Sequence, residues 1–201
     1  MLVAAAVAAA FGAFSSSTSS ASGSPAKTEG IKVHGAWTIA VRSHGRTVAM
    51  RRFENSLTAQ GGVVLAKLLA GIYSAGPWFV SLSGGPQPCA IGGSGTACEI
   101  WTQNPPAQPN RFTTLVVTLP TPGVIHLQGT ATAGQDGSID QVSTQLLPCQ
   151  GPVDQRTNTA PANCDYGLSF FPGSFTSHAV SPGIPVTSGQ QVLVKVDISF
   201  S

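Results

Sequence analysis

Val192-Leu193-Val194-Lys195-Val196-Asp197-Ile198-Ser199-Phe200 is the stretch on which the fold turns. Val192, Val194, Val196, Ile198 and Phe200 fall on one side of an extended chain, with Leu193, Lys195, Asp197 and Ser199 on the other. Side chains of a strand alternate between faces with a period of two, so the run reads as a β-strand with one face in a core. Val33 to Val41 repeats the pattern, placing Val33, Trp37, Ile39 and Val41 together. Ser43-His44-Gly45-Arg46 then reads as a turn and Thr47 to Phe53 as the returning strand of a hairpin. Arg51 and Arg52 are consecutive, so they cannot both face the core. The terminal strand either completes its own sheet or is donated to a neighbour's.

Further strands are expected at Trp78–Leu82, Phe112–Leu119, Val124–Ala133, Ile139–Leu147 and Phe175–Val180. Gln135-Asp136-Gly137-Ser138 is a turn signal, which predicts a second hairpin between the strands on either side of it. Pro86 to Pro109 reads as loop. The helical signal runs from Ala59 to Ala70, with Thr58 as its cap and Gly71 as its end. Val64, Leu65, Leu68 and Leu69 form its apolar stripe, Lys67 is expected to face solvent, and Gly61 and Gly62 weaken its first turns. About eight strands with one short helix predict an all-β fold, a two-layer antiparallel β-sandwich of jelly-roll or Ig-like type.

Composition narrows the function. The chain has 201 residues, of which 9% are charged and 42% apolar, with 23 Gly and 15 Pro. An average soluble domain is roughly 25% charged. A net charge of +2 gives no field of the size a nucleic-acid binder needs. Leu2 to Phe14 is apolar but too short to span a bilayer, and Ser19-x-Ala21 has the form of a small-residue cleavage site, although no basic residue precedes Lys27. Residues 1–30 are therefore read as a signal-like apolar segment with a Ser-rich linker, or as an Ala/Ser-rich tail, and residues 31–201 as one sandwich domain. Export implies an extracellular or cell-surface location.

Cys89, Cys98, Cys149 and Cys164 lie in Gly-, Pro- and Asn-rich surroundings. Four cysteines allow three connectivities. Cys89–Cys98 and Cys149–Cys164 are the simplest pairs, each closing a short loop, in keeping with an oxidising compartment. A four-thiolate zinc site is the competitor, but no pair has the short spacing that such sites use.

Phe53-Glu54-Asn55-Ser56-Leu57-Thr58-Ala59-Gln60-Gly61, followed by Leu65-Ala66-x-Leu68-Leu69-Ala70-Gly71, resembles a recurrent phage-tail-associated module. Members lead into a short helix through Asn-Leu-hydroxyl-x-x-Gly, continue with a strand like Trp78–Gly84, and close with a stretch like Val186–Phe200. The resemblance spans most of residues 33–201. It implies a β-rich virion, tail-tip or bacterial surface component without catalytic activity. This chain departs from it by Ser56 between Asn55 and Leu57, by the cysteine-bearing segments and by the signal-like start. Those departures favour a secreted bacterial relative over an ordinary tail part, with a virion location as the alternative. Asn55 is expected to fix the strand-to-helix turn or to stand exposed in it. Gly61 is expected to permit a close helix-to-sheet approach or merely to be tolerated there.

Catalytic and metal chemistry find little support. His34, His44, His126 and His178 have no metal-pair spacing, no Gly-x-Ser-x-Gly elbow is present, and the EF-hand order is absent. No cofactor is implied. His178, near the end of a strand, could meet one of many serines or a partner. Trp37 and Trp78 are expected in the core, and Trp101 is the candidate for sugar or partner contact. The functional expectation is a non-catalytic structural or adhesion sandwich that self-associates or packs on neighbouring surface or tail proteins. A carbohydrate-binding module using loop aromatics is the alternative and a secreted hydrolase the third reading. Neither nucleic acid nor a stable membrane span is expected among its partners.

Overall fold

Every strand pairing among the described residues of the computed structural model is antiparallel, and the chain crosses repeatedly between two sheets as it makes them. The structure describes residues 31–85, 98–102, 114–150 and 174–201. In chain order the elements are β1 (Val33–Ser43), β2 (Arg46–Ser56), α1 (Ala59–Leu69), β3 (Tyr73–Ser83), β4 (Cys98–Trp101), β5 (Val116–Thr121), β6 (Val124–Thr132), β7 (Gly137–Gln150), β8 (Thr176–Val186) and β9 (Gln191–Phe200). Sheet A has the order β2-β1-β9-β6-β5 and sheet B the order β4-β3-β7-β8. This is an all-β, two-sheet sandwich with one short helix among the described residues. Residues Ile31–Ser201 form one unit.

The alternation in the sequence is what the sandwich buries. Val192, Val194, Val196 and Ile198 are fully inaccessible, while Lys195 and Asp197 between them are exposed. Trp37, Ile39 and Val41 of β1 join them, as do Leu127 and Ala131 of β6. Sheet B contributes Trp78, Val80 and Leu82 from β3, Ile139, Val142 and Leu146 from β7, and Ile184 and Val186 from β8. Each Val, Leu or Ile side chain among them contributes about 1.5–3 kcal/mol when taken fully out of water. One polar pair lies within this core, Thr144 and Thr176, whose hydroxyl oxygens are 2.8 Å apart.

β9 is not donated. It lies between β1 and β6 and pairs with both along nearly its whole length, so its backbone groups are satisfied within its own sheet. The expected second hairpin is also corrected. β6 belongs to sheet A, where its hairpin partner is β5, whereas β7 belongs to sheet B between β3 and β8. The turn at Gln135–Ser138 therefore carries the chain from one layer to the other. Asp136 Oδ1 accepts a 2.8 Å bond from the Ser188 amide, tying this corner to the β8–β9 turn. Within the stretch expected to be loop, Cys98–Trp101 forms β4 on the edge of sheet B.

The expected pairs Cys89–Cys98 and Cys149–Cys164 are not present within the described residues, since each has one member outside them. No disulfide joins two described residues. Cys98 stands opposite Leu82 and Cys149 opposite Ser74 on the same strand, roughly 25 Å apart along it, far beyond bridging distance. Cys149 is buried at the end of β7 and disulfide-bonded, and the other half lies outside the described residues. Cys89 and Cys164 lie outside them too, as do residues 1–30.

Candidate interaction surface

Three regions hold the side chains on which function could rest: the helix α1, the inner seam of β1, β2 and β8, and the outward face of sheet A.

Helix α1 starts where Thr58 Oγ1 accepts from the Gly61 amide at 2.9 Å, satisfying one of the free N–H groups of the first turn. The same hydroxyl donates to the Ser174 carbonyl, and the Thr58 amide donates to the Phe175 carbonyl at 3.0 Å, so the cap also fastens the helix to the start of β8. Gly61 lies directly against that segment. A Cβ there would fall on the Phe175 carbonyl oxygen and come within 2.8 Å of Leu57 Cδ1. Val64 is buried beneath the helix, and Leu65 and Leu68 pack against the core. Leu69, expected in that stripe, instead points outward. Lys67 is half-buried, its ammonium 5.1 Å from the Tyr73 ring centre. The outward side then consists of Ala59, Gln60, Val63, Ala66, Leu69 and Ala70, with Ile72 following. Val63, Leu69 and Ile72 are 51%, 67% and 56% exposed. The helix is thus apolar on both sides, a pattern ordinarily found where a helix is covered on both sides.

The inner seam carries Asn55 and His178. Asn55 lies in β2 opposite Gly35, one step before the helix lead-in. Among the described residues neither of its amide atoms has a hydrogen-bond partner, so the turn-fixing bond is not made. Its Oδ1 occupies the space where a Cβ on Gly35 would sit, which explains a glycine inside a core strand. The buried Trp37 Nε1 beside it is likewise unpartnered. Trp37 stacks on Phe53 at 5.7 Å, and Phe53 stacks on His178 at 4.3 Å. These near-parallel rings join edge strand β2 of sheet A to edge strand β8 of sheet B. Stacked pairs contribute about 0.5–1.5 kcal/mol each beyond their burial. His178 is therefore placed in the seam between the layers. Trp101 holds a register position on β4 opposite Phe79, at the other edge of sheet B.

The outward face of sheet A was not singled out by sequence reading. Its floor is β1, where Ala36, Thr38 and Ala40 are small. Its walls are Met50, Arg52 and Glu54 from β2 and Leu193, Lys195 and Asp197 from β9. Two adjoining depressions of about 350 and 310 Å³ follow this trough. β2 and β9 both run antiparallel to β1, so they run parallel to each other. The two stretches Arg52-x-Glu54 and Lys195-x-Asp197 consequently line up in the same order. Arg52, Thr38 and Lys195 form a basic row, and Glu54, Ala36 and Asp197 form an acidic row beside it, about 6.7 Å along the strands. Asp197 Oδ1 lies 2.5 Å from His126 Nδ1, with the Asp197 side chain 52% exposed. Arg42, Arg52, Glu54 and Lys195 form no ion pair among the described residues. The repeated cation-x-acid spacing on two alternating strands is the signal that could have revealed this face.

Among the described residues, no group of three or more His, Cys, Asp or Glu side chains could hold a metal ion. No described helix is long and apolar enough to cross a membrane. No protein-family model, curated protein or solved structure matches the chain.

Proposed function

We propose that this chain is a non-catalytic structural or adhesion module of an extracellular or virion-like surface assembly, packing against further copies of itself. The observation that carries this reading is α1, whose outward side presents Val63, Leu69 and Ile72 without a charged residue among them. In a chain with few charges to keep copies apart, an apolar helix face favours association. The signal-like start and the resemblance of Phe53–Gly61 to phage-tail-associated modules support the same reading, and they point to a surface or virion location.

The test is the mass of the full chain in solution, for the wild type and for Val63→Lys/Leu69→Lys. Both positions are exposed, so the variant should keep its melting temperature within a few degrees. The reading expects the wild type to associate and the variant to associate at least about tenfold more weakly. Equal association of the two would remove α1 from the interface, and a wild type monomeric at every concentration would overturn the assembly reading.

A further inference from the structure

The outward face of sheet A carries its own electrostatic complement. Its basic row, Arg52-Thr38-Lys195, and its acidic row, Glu54-Ala36-Asp197, are adjacent and span the same three strands. We infer that this face docks a second copy of the same chain, face to face with its strands reversed. This rests on the assembly reading and names a contact distinct from α1.

The geometry selects the orientation. A two-fold axis lying across the strands, midway between the rows, carries each row onto the other. Glu54 then meets the second copy's Arg52, Asp197 meets the second copy's Lys195, and Ala36 meets the second copy's Thr38. The two-fold repeats each contact in the opposite sense, so both ion pairs occur twice. An axis along the strands would instead lay each row on itself, facing Arg52 and Lys195 with cations and Glu54 and Asp197 with acids. Like charges placed opposite one another oppose docking. A two-fold contact must be self-complementary, and only the strand-reversed arrangement of these rows satisfies that.

Shape agrees with charge. Sheets stack about 10 Å apart, a gap that long side chains bridge from both sides. The low floor of Ala36, Thr38 and Ala40 leaves the two copies free to close until their walls meet. Asp197 keeps an exposed carboxylate beside its contact with His126. In the reversed stack His126 lies over the second copy's Gln128, a neutral hydrogen-bonding neighbour. The rows lie within one Debye length of each other at physiological salt, so the attraction is salt-dependent.

The test is sedimentation equilibrium of the full chain with two charge-swapped variants, Arg52→Glu/Lys195→Glu and Glu54→Arg/Asp197→Lys. Each alone presents two rows of one sign, and each is expected to associate through this face more than about a hundredfold more weakly than the wild type. Their equimolar mixture is expected to recover association to within about tenfold of the wild type. For the wild type, raising salt from about 50 mM to about 500 mM should weaken the contact at least about tenfold. Arg52→Gln/Lys195→Gln, which leaves the His126–Asp197 contact untouched, should weaken it in the same direction. Charge-swapped variants that associate like the wild type would overturn this contact while leaving the assembly reading standing. A wild type that stays monomeric throughout would overturn both.

Discussion

The two sheets of the sandwich are alike inside and different outside. Each turns Val, Ile and Leu inward, and those residues meet in one core. On the outward side of sheet B, Ser81, Ser143 and Ser177 line up across three strands, with Glu99 at the edge, and Ser143 and the neighbouring Phe79 are buried. The corresponding region of sheet A alternates cations and acids. Only 9% of the chain is charged, so this concentration on one face separates the two surfaces. The comparison teaches that the inward half of each alternation dictates the fold and the outward half is free to dictate contacts.

The most severe way to probe that division lies in adjacent residues of β9. Val194 is fully buried between Ile39 and Gly129, whereas Lys195 is exposed. Val194→Asp places an unpaired carboxylate in the core and should cost more than about 4 kcal/mol, enough to lose the cooperative thermal transition. Lys195→Ala should shift stability by no more than about 0.5 kcal/mol. Similar effects from the two substitutions would break the inward–outward division.

An intermediate effect is expected where the helix meets sheet B. Gly61→Ala forces a methyl group onto the Phe175 carbonyl, which belongs to backbone and cannot rotate aside. Denaturant titration should show a loss of about 1–3 kcal/mol. A neutral result would mean that α1 is not seated as closely as the Thr58 cap implies.

The smallest effect is expected at the seam. Asn55 makes no side-chain hydrogen bond among the described residues, so Asn55→Leu, which keeps the same branching with two larger methyl groups, removes no partner and relieves a desolvated amide. Its stability should stay within about 1 kcal/mol of the wild type. A loss beyond about 2 kcal/mol would show that the amide is satisfied in solution, sharpening the roles of Trp37 and Gly35 beside it.

Local periodicity explains what could be read before the structure. The β9 alternation, the β1–β2 hairpin and the Thr58-capped helix each depend on residues close in sequence. The partner of β7 is not legible in the sequence because turn chemistry at Gln135–Ser138 reverses the chain without specifying which layer receives it. Four-residue β4 was missed because it is too short to show a period. Arg51 and Arg52 do occupy opposite sides of β2, yet both are exposed, because β2 is an edge strand. Charge on such an edge also discourages uncontrolled strand pairing. The paired rows of sheet A depended on the register of three strands from the two ends of the domain, which no short window contains.

The most direct measurement is the mass of the wild-type full chain by sedimentation across a wide concentration range, before any substitution. The account predicts a mass that rises with concentration above the 20.5 kDa of one copy. A mass fixed at one copy throughout would contradict the claim that this sandwich is built to assemble.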